Sequence, residues 1–234
     1  MHQSDARQNA PFQFYVGIAT YCCFDLLAKA IEATLANTWL PDRIYVIDNS
    51  QGNLKRDMLP DSRRVQIFTP THNLGAGGAW NFLLPAVHPF PIVMINDDTE
   101  PHPDLFEWML NRHFENMNDV IVGDRGKAFT CMLMPQGPWK AVGQLDPVFW
   151  PAYYEDCDWA YRATLKGIKI IGPDAPKFHD NGPSATKARM NAADRNLVDR
   201  QYIANTDYYL RKWGGPPHAE KFPTPFNQPE TPQP

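Results

Sequence analysis

The chain has 234 residues, enough for one large α/β domain with appended segments. Hydrophobic residues make up 43% and charged residues 21%, ordinary proportions for a soluble globular protein, and a net charge of −4 disfavours nucleic-acid binding through bulk positive charge. The polar start, MHQSDARQNAPFQ, lacks a signal-peptide core, and no stretch approaches the roughly 18 apolar residues of a membrane span, so a cytoplasmic protein with no transmembrane segment is expected. Cys22, Cys23, Cys131 and Cys157 show no C-x-x-C spacing and read as reduced thiols.

In chain order, FQFYVGIATY predicts a first strand over Phe12 to Ala19. Asp25 is the expected cap of a helix in LLAKAIEATLANT, whose apolar positions recur at helical spacing. RIYVIDNS is a second strand ending in Asp48, and RVQIFTP a third. HNLGAGGAWNFLLPAV is a glycine-rich turn opening a helix, and PIVMIND a fourth strand. His102-Pro103 begins the next helix, since proline is tolerated in a first turn. DVIVGD and AFTCMLMP follow as short strands. An aromatic stretch then leads into the acidic helix start EDCDWAYRATLKG and the strand IKIIG. KFHDNGPSATKA reads as a loop, and NLVDRQYIANTDYYLRKW as a last helix stopped by Gly214-Gly215.

Alternating strands and helices predict a mostly parallel central sheet flanked by helices. Ligands of such sheets lie outside the carboxyl ends of the strands. Thr20-Tyr21, Asp48-Asn49 and Asn96-Asp97-Asp98 all fall at predicted strand ends and should meet along one edge. Residues 1–11 are expected to be a flexible N-terminus, 12–215 one domain with halves 12–98 and 99–215, and 216–234 a proline-rich tail, disordered or laid over the surface.

The ordered set VGIATY, VIDNS, NLGAGGAWN, INDDTEP, YYEDCDWAYRATLKG, FHDNGPS and DYYLRKWG resembles family 2 glycosyltransferases of the GT-A fold, most closely the rhamnosyltransferase-like branch. The resemblance implies an inverting transfer of a sugar from a nucleotide-diphosphate sugar donor to an acceptor hydroxyl, assisted by Mn²⁺ or Mg²⁺. It makes Asp98, the last acid of the DxD-type element, the first metal ligand, with Asp97 and Asn96 contacting the donor or assisting the metal. His179, in an HxxGxS frame with Gly182 and Ser184, would be the second ligand, and its imidazole favours Mn²⁺. Asp156 would be the catalytic base and Glu155 a contact to acceptor hydroxyls. Thr20, Asp48, Asn73, Gly75, Gly78 and Asn81 would line the donor site, with Gly77 and its neighbours allowing close backbone approach.

Other readings of the same residues stand beside these. Acids in the first turn of a helix are favoured by its dipole, and Asp158 and Arg162, four apart, can pair on one face. Asp48 also suits a plain turn, and Phe149 a core. Lys187, Arg189, Arg195, Arg200, Arg211 and Lys212 bias the last helical region towards positive charge, diluted by Asp194, Asp199 and Asp207; a solvated helix face is the simpler account. The acceptor stays open: glycan, lipid-linked glycan, protein or modified nucleic-acid base, the last disfavoured by overall acidity. A nucleotidyltransferase would want a basic glycine-rich loop after the first strand, which ATYCCFD lacks, and a catalytically inactive glycan-binding module would have no use for Asp98, Asp156 and His179 together.

Overall fold

The computed structural model describes residues 8–182 and 185–229; expectations for the extreme ends of the chain, and for Ser184, lie outside these. The strands are β1 (Gln8–Asn9), β2 (Tyr15–Thr20), β3 (Trp39–Leu40), β4 (Arg43–Asp48), β5 (Val65–Phe68), β6 (Ile92–Asn96), β7 (Thr99–Pro101), β8 (Val120–Val122), β9 (Cys131–Leu133), β10 (Ile170–Ile171) and β11 (Phe178–Asp180). The helices are α1 (Phe24–Leu35), α2 (Gly75–Val87), α3 (Leu105–Glu115), α4 (Gln136–Val142), α5 (Glu155–Leu165), α6 (Ala185–Arg189) and α7 (Ala192–Trp213).

Seven of the described strands form one sheet in the order β10-β8-β9-β6-β2-β4-β5. All neighbours are parallel except β9, which runs antiparallel to both β6 and β8. Side chains alternate faces along a strand. Val16, Ile18, Val93 and Ile95 therefore join one apolar cluster with Leu27 and Ile31 of α1 and Leu105 and Met109 of α3. Tyr15, Ile92 and Met94 point the other way, into a cluster with Leu83 of α2, Trp139 of α4 and Trp159 of α5. Both faces are covered, which is why these strands read as continuous apolar runs. Each fully buried Leu, Ile or Phe contributes roughly 1.5–3 kcal/mol.

Several expectations are corrected. Asp25 does not cap α1: Cys23 holds the cap position without a side-chain bond, and Asp25 lies in the first turn, where its carboxylate takes a bidentate pair from Arg189. The stretch KFHDNGPSATKA is not all loop: Phe178–Asp180 is a strand, pairing antiparallel with β7 so that His179 faces Glu100 and Asp180 faces Thr99, and Ala185–Arg189 is the short helix α6. The short helix α4 is absent from the sequence reading because QGPWKAV is too brief for a helical period to show.

The last helix begins four residues before the predicted Asn196 and ends where its sequence predicts. Gly214, at φ +71°, closes α7 in the left-handed conformation that glycine adopts without cost. The chain then folds back over it. The backbone N–H groups of Lys221 and Phe222 donate to the Trp213 carbonyl at 2.9 and 3.1 Å, and Tyr161 donates to the Phe222 carbonyl at 2.9 Å. The described part of the tail is thus laid over α7 and α5.

Candidate active site

The polar strand ends meet as the parallel register requires. Thr20 is the partner of Asp48, and Ala19 of Asn96, so β2, β4 and β6 finish side by side. Just past β6, Asp97 is buried and its Oδ2 accepts from the Thr20 hydroxyl at 2.7 Å and more weakly from the Tyr21 N–H at 3.4 Å. Burial pushes the Asp97 carboxyl up to about 7, with Asp98 repulsion adding to it against the Thr20 hydrogen bond. Asp98 is also raised, by burial first and by the charge of Asp180 second, while Arg189 and Lys127 pull it down.

The structure therefore brings Asp180, one residue past the expected histidine, to the neighbourhood of Asp98. β11 alternation sets the buried Phe178 and the half-buried Asp180 on one side and leaves the exposed His179 on the other. No hydrogen bond or ion pair joins His179 to Asp98 among the described residues. Asp180 also pairs with Lys127 at 2.5 Å, and Asn181 closes the ribbon by donating its N–H and Nδ2 to the Asp98 carbonyl at 3.1 and 2.9 Å. Reading β11 as a strand would have singled out Asp180.

The residues expected along the donor are mostly engaged within the protein. Asp48 is fully buried and takes hydrogen bonds from the Ser50 N–H at 2.9 Å, the Ser50 hydroxyl and the Gly52 N–H at 3.0 Å, so it shapes its own turn. Asn73 Oδ1 accepts from the Gly75 N–H at 2.7 Å. Asn81 exchanges two hydrogen bonds with the Leu145 backbone, at 2.8 and 2.9 Å. The close approach at Gly75 is to protein: at φ +72°, a Cβ there would sit 2.6 Å from the Pro151 carbonyl oxygen and 2.9 Å from the Trp150 ring. Gly78 packs on Leu74 in the same way, at 3.1 Å. This turn docks the loop before α5 against α2. Asn49, expected at the strand edge, helps it by accepting from the Leu74 N–H at 3.0 Å and donating to the Gly75 carbonyl at 3.2 Å.

That loop delivers the acidic pair. Tyr153 and Tyr154 both adopt φ +76°, which costs on the order of 1–3 kcal/mol for each non-glycine residue. Buried Asn205 of α7 holds them there, its Nδ2 donating to the carbonyls of Phe149, Ala152 and Tyr153 at 2.9, 3.0 and 3.2 Å. Burial raises the Tyr153 pKa; Lys187 opposes this, and the charges of Glu155, Asp199 and Asp98 add to it. The Tyr153 hydroxyl thus stands within electrostatic reach of both acidic motifs, which lie more than fifty residues apart in sequence.

Glu155 and Asp156 open α5 but are not equivalent. Glu155 Oε2 is buried without a hydrogen-bond partner among the described residues, and its pKa lies well above the usual carboxylate range, through burial and then Asp156 repulsion. Asp156 is half-buried, with Oδ1 accepting from the Cys157 N–H at 2.8 Å. Asp158 follows the alternative given above: it is fully buried and pairs with Arg162 at 2.9 Å. Phe149 is core. The basic residues Lys187, Arg189 and Lys212 are paired with Asp199, Asp25 and Asp146.

The raised Glu155 pKa sets a sign for stability. The folded chain binds this proton more tightly than the unfolded chain, so the contribution of Glu155 is fully present below about pH 4 and is lost as pH rises through the folded pKa. Glu155→Gln is therefore expected to stabilise the protein by about 1–2 kcal/mol at pH 8 and to be nearly neutral at pH 4. Urea unfolding at both pH values measures this; an equal effect at both would contradict it.

Residues 15–140 match Glycosyl transferase family 2. No curated relative matches the sequence. Among solved structures, the chain is similar to S. aureus TarS 1–349 (TM-score 0.57, 12% identity, covering 86% of this chain and 73% of that one). It is similar to the same fragment in complex with UDP-GlcNAc (0.56, 13%, 83% and 66%). It is also similar to the mannosyltransferase PcManGT from Pyrobaculum calidifontis in complex with GDP-Man and Mn²⁺ (0.57, 13%, 84% and 65%). A longer TarS structure is spanned over 43% of its length. At such identities the likeness is one of fold, the GT-A fold. The family match takes in more than half of the chain, running from the first residue of β2 into α4, and the chain belongs to glycosyl transferase family 2.

Proposed function

We propose that this protein is a metal-dependent, inverting glycosyltransferase that moves a sugar from a nucleotide-diphosphate sugar to an acceptor hydroxyl. The observation that carries the reading is the meeting of β2, β4 and β6 along one edge, where Thr20 holds Asp97 at 2.7 Å beside Asp98. A donor lying along that edge would present its anomeric carbon towards the acidic pair.

The carboxylates fit a hard divalent cation. Asp98 and Asp180 repel each other in a partly buried setting, and a cation between them would relieve that cost. Among the described residues no group of three or more His, Cys, Asp and Glu is placed to hold a metal ion. Asp98 and Asp180 would hold it; oxygen ligands suit Mg²⁺ or Mn²⁺, and recruitment of the neighbouring His179 would favour Mn²⁺. When bound, the ion would neutralise charge on the leaving nucleotide diphosphate.

The remaining work falls to the chain's own residues. Asp97, fixed by Thr20, and Asn96 orient the donor. Glu155, holding its proton, donates to an acceptor oxygen. Asp156 accepts the acceptor's proton as the hydroxyl attacks in line with the departing diphosphate, a single displacement that inverts the anomeric centre. The four free cysteines suit a reducing cytoplasm, where we place the reaction.

Calorimetric titration with UDP and with GDP, each with and without Mn²⁺, tests this reading. One nucleotide is expected to bind at least about tenfold more tightly with the metal, a difference of about 1.4 kcal/mol. If neither binds under either condition, the reading is wrong.

A further inference from the structure

We infer that Tyr202 of α7, together with Tyr153, forms the acceptor platform of this enzyme and that it is built for the apolar face of a sugar ring, so that the acceptor is a glycoside. The inference rests on the transferase reading above and adds the chemistry of the second substrate.

The position comes first. Tyr153 lies two residues before Glu155, in the turn that opens α5. Tyr202 packs against it, ring centroids 5.4 Å apart and planes at 84°, and also touches Tyr154, at 5.7 Å. Yet Tyr202 remains 44% exposed. A ring needed only to cement α7 to the loop would be covered, as Tyr209 and Trp213 are, seven and eleven positions further along the same helix. Fastening of the loop is already accomplished by Asn205, one turn along the helix from Tyr202, through three carbonyl contacts.

The shape and rim then select the ligand. The two rings meet as a corner, not as parallel walls, so they offer one open face rather than a slot for a flat nucleobase. The electron-rich face of a tyrosine ring complements the weakly positive C–H groups on one side of a pyranose. At the rim, Lys187 lies 5.7 Å from the Tyr153 ring centroid and pairs with Asp199 at 2.6 Å, and Asp199 sits one turn before Tyr202. That pair offers donors and acceptors in alternation, which match ring hydroxyls. An acyl chain laid there would strip water from both charges without replacing it.

The test uses the whole chain and a panel of methyl glycosides (glucoside, galactoside, mannoside, rhamnoside and N-acetylglucosaminide) in saturation-transfer difference NMR. At least one should show transfer to the C–H protons of one ring face. The signal should fall at least fivefold in Tyr202→Ala and persist in Tyr202→Phe, which keeps the ring and drops the hydroxyl. Tyr202→Leu serves if the alanine variant does not fold. UDP and GDP are titrated into each variant, and their affinities should stay within twofold of the parent. Absence of any glycoside signal, or an undiminished signal in folded Tyr202→Ala or Tyr202→Leu, overturns the platform. Displacement of no glycoside but Tyr202-dependent binding of free nucleosides assigns the face to a base and overturns it too. Loss of nucleotide binding with glycoside binding intact would instead count against the transferase reading alone.

Discussion

Asp156→Asn is expected to lower sugar transfer by about 10²–10⁴-fold while leaving nucleotide-diphosphate affinity within about twofold. The substitution keeps the shape of the side chain and the acceptor oxygen that receives the Cys157 N–H at 2.8 Å, so the start of α5 should be undisturbed. What it removes is the ability to take a proton. The measurement is nucleotide release from a sugar nucleotide in the presence of whichever methyl glycoside binds, alongside calorimetry for the donor. The neighbouring carboxyl provides the discriminating control. Glu155 holds its proton at pH values where an ordinary carboxylate has lost it, which suits a hydrogen-bond donor to the acceptor rather than a resting base. Transfer retained in Asp156→Asn but abolished in Glu155→Gln would exchange the two roles.

Asp158→Ala is expected to cost about 3–5 kcal/mol of stability, a fall in Tm of about 10 °C for a chain of this size. Asp158 is fully buried and receives Arg162 Nε at 2.9 Å, Lys212 Nζ at 2.6 Å and Trp213 Nε1 at 2.9 Å, so it ties the first turn of α5 to the end of α7. Removing it leaves the buried Lys212 ammonium with Asp146 alone, at 2.7 Å, and leaves the Trp213 N–H unpaired. Most of the cost is that of charge and polar groups stranded away from water. Urea unfolding with an unchanged m-value checks it; a loss under about 1 kcal/mol would show that the hub relaxes into water. The same link carries function, since α7 holds the strained Tyr153-Tyr154 turn in place through Asn205.

Much of the sheet was readable because its strands are buried on both faces and separated by helices with clear apolar spacing. The second strand, RIYVIDNS, and the fourth, PIVMIND, appear almost as predicted, with Asp48 and Asn96 as their last residues. The first strand starts at Tyr15 rather than Phe12, a boundary that pairing with β4 and β6 sets and local propensity does not. β7 and β11 were missed for a related reason. Each has three residues, and each is a strand only because the other lies against it across some eighty positions of chain.

Site residues divide along the same line. The acids of INDD and of YYED, their placement at a strand end and a helix start, and the family they belong to are local matters of residue type and order. What the tertiary structure decided is which groups those acids meet. It pairs Asp97 with Thr20 and sets Asp180 rather than His179 near Asp98, because strand alternation leaves His179 on the exposed side of β11. It commits Asp48, Asn73 and Asn81 to protein hydrogen bonds, since each sits where a buried turn has backbone groups to satisfy. It also makes Glu155 and Asp156 chemically different, although they are adjacent carboxylates. Residue type supplies the charge; burial and the neighbouring charges, which depend on the whole packed chain, decide where its proton goes.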